Sequence, residues 1–311
     1  MNFVAKCKAF FNKEATMYQQ LINSLSKEAK ILLNEPMKNH TSFKIGGPAD
    51  ILIMPGCIDD VKKVIDFAKD IPLYIIGNGS NLLVNDDGIK GIVLKIANCL
   101  NKVETDEDYI VAEAGATLAL VSNIAKRNSL TGMEWACGIP GSIGGAVYMN
   151  AGAYGGEMKD IVVETTYINE NNEIITINNE RHAFSYRKSI FTNTKNVILQ
   201  TKLKLQKGNQ EEIETKMREL LEQRRQKQPL EYPSAGSTFK RPEGYFVGKI
   251  MDDLGLKGYT IGGAQVSEKH GGFIINTGNA TAKDVKDLIE YVVNKVKKEY
   301  NIELEPEVKM I

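Results

Sequence analysis

Residues 138–156 read GIPGSIGGAVYMNAGAYGG, with seven glycines in nineteen positions. Glycine loses more backbone freedom on folding than any other residue. A cluster therefore persists where φ must be positive or where something touches the main chain. This stretch holds far more glycine than a turn needs. We read Gly138, Pro140, Gly141, Ser142, Gly144 and Gly145 as a loop that offers main-chain N–H groups to a ligand. The usual guest of such a cradle is an anion, most often a phosphate. A second cluster, Gly77, Asn78, Gly79, Ser80 and Asn81, follows the apolar run 73–76 directly. It reads as a strand-to-turn phosphate cradle, or as a tight turn, because residues 82–84 are apolar again. It lacks the spacing and the following helix of a dinucleotide-binding Rossmann fingerprint.

The bulk of the chain is that of an ordinary protein with a sizeable core. It has 311 residues, 42% hydrophobic and 25% charged, enough for two or three domains. Lys plus Arg and Asp plus Glu both number 39, so bulk charge gives no reason to expect nucleic acid as a partner. Cys7, Cys57, Cys99 and Cys137 are widely spaced without a CxxC, which argues against structural zinc, and we expect no metal. With no long apolar run near the N-terminus and no stretch of about 20 apolar residues, the expectation is a reduced, cytoplasmic protein without a membrane partner.

Residues 14–33 carry Met17, Leu21, Leu25, Ile31 and Leu32 on a rough helical stripe and predict an amphipathic helix. A strand over 49–54, a helix over 59–69 and a strand over 73–76 form a minimal β-α-β unit. Strands are expected at 91–96 and 109–113, and Thr117 caps a helix over 117–126. Two strands, 161–168 and 173–177, flank the turn 169–172, and a long strand spans 196–205. The helix 211–225 precedes Pro229 and Pro233, where a domain boundary falls. Beyond it we expect a helix over 245–254, a strand over 272–275 and a helix over 281–300 capped by Thr281 with Asp284. Residues 302–310 alternate with period two: Ile302, Leu304, Val308 and Met310 face one way, Glu303, Glu305, Glu307 and Lys309 the other. Such crowding would raise the pKa of these carboxyls.

Three further groups can carry chemistry. Ser237, among small residues in AGSTFK, has an accessible hydroxyl but no GxSxG elbow around it; a turn or cap explains it equally. Arg187, in FSYRKS, is either a carboxylate clamp or a surface arginine packed on Tyr186. His40, His182 and His270 sit in no catalytic motif, and neither glycine loop has a histidine close by in sequence.

Taken in order, HTSFKIGG at 40–47, IGNGSNLLV at 76–84, GIPGSIGGAVYMNAGAYG at 138–155, FSYRKSIF at 184–191, AGSTFKRP at 235–242 and LEPEV at 304–308 resemble the UDP-N-acetylenolpyruvoylglucosamine reductase family. The resemblance implies an α+β chain: a two-lobed FAD-binding domain of the vanillyl-alcohol-oxidase (PCMH) type plus a C-terminal α+β substrate-binding domain. It implies an N-terminal helical extension over 1–33, lobe 1 over 34–100, lobe 2 over 101–226 and the substrate domain over 227–311. The longer subtype's tyrosine loop is missing, since residues 189–191 run almost directly into the strand 196–205.

By the same resemblance FAD is bound non-covalently by the two glycine loops, NADPH is the co-substrate and the substrate is an enolpyruvyl UDP-sugar. A monomer is expected. Arg187 and Glu307 would stabilise the enolate, with Glu307 chosen over Glu305 by the family pattern, and Ser237 would donate the proton. Lys240 would supply positive charge near Ser237, and Lys227 and Gln265 would bind substrate; Tyr154, His270 and Asn276 are weaker candidates. The alternatives are an FAD-dependent sugar or alcohol oxidase of the same fold, which has no need of Ser237 and Glu307, and a non-catalytic nucleotide-binding module.

Overall fold

The computed structural model describes residues 18–311. Its first sheet has the order Lys30–Pro36, Pro48–Met54, Ile89–Lys95, Leu73–Ile76. The first pair is antiparallel and the other two are parallel. The expected β-α-β unit is present with Ile58–Phe67 as its helix, but Ile89–Lys95 lies between its two strands. Ile89–Lys95 is buried at every position except Lys90, and a strand apolar on both faces belongs in the middle of a sheet.

The helix expected over 14–33 ends at residue 24, and its residues 14–17 lie outside the described residues. Lys30–Pro36 is an edge strand instead, with Ile31 and Leu32 packed on the sheet. The connecting turn is tied down by Ser26, whose N–H and hydroxyl donate to the buried Asp60 carboxylate at 2.8 and 2.6 Å. The apolar spacing that mimicked one long helix is thus split between a helix and a strand.

A second, five-stranded antiparallel sheet follows in the order Ile174–Asn178, Val162–Ile168, Val197–Lys204, Tyr109–Glu113, Val103–Asp106. The helices Leu118–Arg127 and Gln210–Lys227 pack on one another beside it. Thr117 caps the first, its hydroxyl oxygen accepting from the Leu120 N–H. One hydrophobic core joins both sheets, from Ile51 and Leu94 to Ile110 and Leu203.

The C-terminal part is a three-stranded meander, Thr260–Ile261, Ala264–Val266 and Ile274–Asn276, covered by Ala282–Tyr300. The Thr281–Asp284 capping box and the buried stripe Val285, Leu288, Ile289, Val292 and Val296 are those expected. Its core also takes in Phe43, Ile45 and Leu83. Asp86 accepts from the N–H groups of Ala282 and Lys283 at 2.8 and 3.0 Å, an anion at a helix N-terminus.

Residues 302–310 do not form the expected continuous strand. Only Lys309–Met310 is extended, pairing in parallel with Leu82–Leu83, and Pro306 makes an isolated bridge to Phe239. Pro306 has no N–H to continue a ladder, and Leu304 and Val308 turn inward while Met310 stays exposed. No helix among the described residues is long and apolar enough to cross a membrane.

Candidate active site

The two glycine loops meet. Gly77–Asn81 leaves the end of Leu73–Ile76, and the second loop runs into the short helix Ile143–Tyr148. Asn78 Nδ2 donates to the Pro140 carbonyl at 2.7 Å. A Cβ on Gly77 would sit 2.6 Å from Ser142 Oγ, so the loops approach this closely because residue 77 is glycine. At Gly79 φ is +66°, and a Cβ would lie 2.0 Å from the His40 carbonyl oxygen. Among the described residues none accepts a hydrogen bond from the main-chain N–H of Asn78, Gly79, Ser80 or Asn81. Consecutive unspent amides form a concave site for an anion. The second loop's glycines also answer to packing. A Cβ on Gly144 would meet Ala114 at 2.9 Å, whereas at Gly141 the nearest atom would be at an ordinary 3.4 Å.

Arg187 is held near these loops at a backbone φ of +58°. A left-handed conformation costs a non-glycine residue about 1–2 kcal/mol, so its surroundings must enforce it. Ser189 Oγ donates to the Tyr148 carbonyl at 2.7 Å, and Asn150 Nδ2 donates to the Ser185 carbonyl at 3.1 Å. Arg187 Nε donates to Glu307 Oε1 at 2.8 Å, and Nη2 reaches the Gly152 carbonyl at 3.4 Å. Its guanidinium lies 5.2 Å from the centre of the Tyr186 ring.

Period two puts Glu305 and Glu307 on one face; the structure separates them. The Glu307 side chain is 10% exposed and the Glu305 side chain 66%. Burial pushes the Glu307 carboxyl above its ordinary range, against the pull of the Arg187 charge and hydrogen bond. The cause is therefore desolvation, and not the crowding of carboxylates expected from the sequence. Glu305 moves the opposite way, held down by its hydrogen bond with Lys240.

Ser237 lies one residue from this pair's backbone. The Glu307 N–H donates to the Thr238 carbonyl, and the Lys240 N–H to the Glu305 carbonyl, both at 2.8 Å. Ser237 is exposed, beside Gly236 with φ +77°, and among the described residues its hydroxyl has no hydrogen-bond partner. Asn81 Nδ2 donates to the Glu307 carbonyl at 3.1 Å. One short segment thus connects the first glycine loop, the Arg187 carboxylate partner and the serine.

The remaining candidates are placed differently. Lys240 is ion-paired with Glu305, so its charge is largely committed and does not stand free beside Ser237. It helps line a cavity of about 190 Å³ with Tyr186, Arg241, Pro242, Glu303 and Glu305. Lys227 is exposed at the end of Gln210–Lys227. Gln265 Nε2 donates within its own hairpin, to the Gly258 carbonyl at 3.3 Å and Thr260 Oγ1 at 3.1 Å. Asn276 is structural: its Nδ2 donates to the Phe43 carbonyl at 3.1 Å, and its Oδ1 accepts from Gly278 and Ala280. His270 Nδ1 accepts from the Gly272 N–H at 3.1 Å, and Tyr154 stands exposed.

Two residues were missed from sequence. Asn150, 1% exposed, fixes the Arg187 loop and was visible only as part of the MNAG run. His40 is remote from the glycine loops in sequence, yet its main chain lies against Gly79. Lys95 Nζ is 3.1 Å from His40 Nδ1, which must accept from the ammonium, so Nε2–H donates to Glu35 Oε1 at 2.9 Å. Both ring nitrogens are taken.

Known proteins match both parts of this arrangement. The FAD binding domain family matches residues 49–178, and the UDP-N-acetylenolpyruvoylglucosamine reductase C-terminal domain family matches residues 228–311. A UDP-N-acetylenolpyruvoylglucosamine reductase of Caldanaerobacter subterraneus subsp. tengcongensis is 53% identical over 292 residues, 93% of this chain and 96% of the relative. One of Syntrophomonas wolfei is 48% identical over 297 residues, 95% of this chain and 99% of the relative. The crystal structure of UDP-N-acetylenolpyruvylglucosamine reductase from Thermus caldophilus is similar with a TM-score of 0.78 at 34% identity, covering 91% of this chain and 98% of that one.

Proposed function

The chain belongs to the UDP-N-acetylenolpyruvoylglucosamine reductase family, and from that membership we propose which of its residues carry the reaction. It reduces the enolpyruvyl group of UDP-N-acetylglucosamine enolpyruvate to UDP-N-acetylmuramate with NADPH, through FAD, in peptidoglycan precursor synthesis. Its architecture is the two-lobed FAD-binding domain followed by the C-terminal substrate-binding domain.

The residues present fit the cofactor: four successive amides without acceptors lie where the two glycine loops meet, and FAD carries a pyrophosphate. When bound, FAD supplies hydride transfer between NADPH and the substrate's terminal carbon. Gly77, Asn78, Gly79, Ser80 and Asn81, with Gly138, Pro140, Gly141, Ser142, Gly144 and Gly145, would hold it.

The chain's own work is to stabilise the charge left on the adjacent carbon and its carboxylate. Arg187 spends Nε on Glu307 and keeps guanidinium donors for the substrate carboxylate. Glu307 fixes the orientation of that guanidinium, and its burial favours the protonated form that would not repel the developing enolate. Ser237 gives its hydroxyl proton to the carbon bearing the carboxylate. Hydride on one carbon and proton on its neighbour convert the double bond to a single bond. Lys227, Lys240 and Gln265 remain candidates for the sugar nucleotide, Lys240 from the wall of the cavity beside Tyr186.

The observation that carries these assignments is the 2.8 Å Arg187–Glu307 pair on a segment bonded to both Thr238 and Asn81. We assign residues 34–100, 101–226 and 227–311 to lobe 1, lobe 2 and the substrate domain, a division supported by the four-, five- and three-stranded sheets they carry; residues 30–36 join the first lobe's sheet and not a helical extension. A monomer in the cytoplasm completes it. The test is anaerobic NADPH oxidation by the purified protein with and without the enolpyruvyl sugar nucleotide. Consumption stoichiometric with that substrate is expected. A colourless protein, or turnover with a sugar and O2 but none with the enolpyruvyl compound, would reject it.

A further inference from the structure

Arg224 is a half-buried cation with no anion. It lies in the last turn of Gln210–Lys227, and among the described residues no carboxylate and no hydrogen-bond acceptor meets its guanidinium. Cations suit the end of a helix, which accounts for Arg225 and Lys227 on its surface. That does not account for Arg224 being turned inward, since buried arginines are normally paired. Burial pushes its guanidinium below the usual arginine value; the groups that oppose this are Tyr154 and Cys137, neither of them a carboxylate.

The place it occupies is specific. A Cβ on Gly138 would lie 3.0 Å from Arg224 Cδ and 3.8 Å from its Nε. The arginine stem therefore rests on the first glycine of the second loop, two residues from the Pro140 carbonyl that accepts from Asn78. We propose that Arg224 is a further ligand of a pyrophosphate, that of FAD, supplying from the helix end packed on the second loop a full positive charge that a nest of neutral amides lacks. This rests on the reading that the two glycine loops hold FAD. The same diphosphate chemistry occurs in the UDP-sugar, and the experiment separates the two sources.

The full-length chain, freed of flavin, is titrated with FAD and with riboflavin, which has no phosphate, by quenching of flavin fluorescence, and with UDP by calorimetry. Arg224→Met keeps the stem and removes the charge; Arg224→Lys keeps the charge and secures a folded variant; Arg225→Met removes an exposed charge from the same turn. We expect Arg224→Met to weaken FAD roughly 10- to 100-fold, the worth of one charged hydrogen bond, with riboflavin affinity unchanged. Arg224→Lys should lose less and Arg225→Met nothing. An unchanged FAD affinity overturns the proposal, and so does an equal loss for riboflavin, which would mark a structural role. Intact FAD binding with weakened UDP binding overturns it too, by assigning the cation to the substrate. A wild-type chain that takes up neither flavin refutes the cofactor reading itself, which is a different result.

Discussion

Replacing Arg187 with Met removes the guanidinium and retains most of the stem. At 2.8 Å from Glu307 Oε1 the pair, with Glu307 ionised, has a Coulomb ceiling of about 6 kcal/mol at an effective dielectric of 20. The Arg187 side chain is 22% exposed, so solvent screening brings the net coupling to about 1–3 kcal/mol. The functional loss is larger, because a donor aimed at developing charge is worth about 2.7–4 kcal/mol, a factor of about 10²–10³ in turnover. With Arg187 assigned in the proposed function to the substrate carboxylate and bound to Glu307 as well, the upper end is expected.

The stability change should depend on pH. Without Arg187 the Glu307 carboxyl keeps the upward push of burial and loses its largest opposing influence. A folded-state pKa raised above the unfolded one contributes stability that is full below the ordinary carboxylate value and is lost as pH rises through the raised value. The variant should therefore fall behind wild type in Tm more at mildly alkaline than at mildly acidic pH. Adding Glu307→Gln should abolish that pH dependence. Anaerobic stopped-flow absorbance separates the half-reactions: NADPH should reduce the flavin at near wild-type rate, while reoxidation by the enolpyruvyl sugar nucleotide slows about 10³-fold. Near-normal reoxidation, or equal slowing of both halves, would refute the role of Arg187, and a pH-independent Tm loss would refute that of Glu307.

Two further outcomes test the other half of the site. Ser237→Ala should leave flavin reduction by NADPH intact and slow the substrate half-reaction by about 10²–10⁴-fold, the usual worth of a positioned proton donor; stopped-flow traces with equal loss in both halves would remove it from that role. Gly79→Ala adds about 1–2 kcal/mol of backbone strain at φ +66° and places a methyl 2.0 Å from the His40 carbonyl, so the loop must move. The purified variant should have lost most of its visible flavin absorbance, and a full flavin complement would exclude this loop from the cofactor site.

Locally encoded elements were legible. Leu73–Ile76 and Tyr109–Glu113 have the bounds their patterning predicts, and Thr281 with Asp284 caps Ala282–Tyr300. Capping and hydrophobic periodicity act over a few residues, so a short window contains the information. The misreadings are both of edge segments. Lys30–Pro36 is a strand because Pro48–Met54 offers it an open edge, and of the strand expected over 302–310 only Lys309–Met310 forms, where Leu82–Leu83 offers a partner. An edge strand is selected by a partner elsewhere in the chain, and its own spacing carries little of that choice.

From the chain alone came the two glycine loops, the serine among small residues, the arginine between aromatics and a C-terminal run of glutamates, enough to identify the family and the chemistry. Only the tertiary structure decided that Asn78 ties one loop to the other, that His40 backs Gly79, and that Glu307 is the buried carboxylate while Glu305 faces solvent with Lys240. Glu307 meets Arg187 across 120 residues of sequence and Asn81 across 226. Which of two equivalent positions on an alternating segment loses its water depends on what packs against it, and those groups are brought there by the fold.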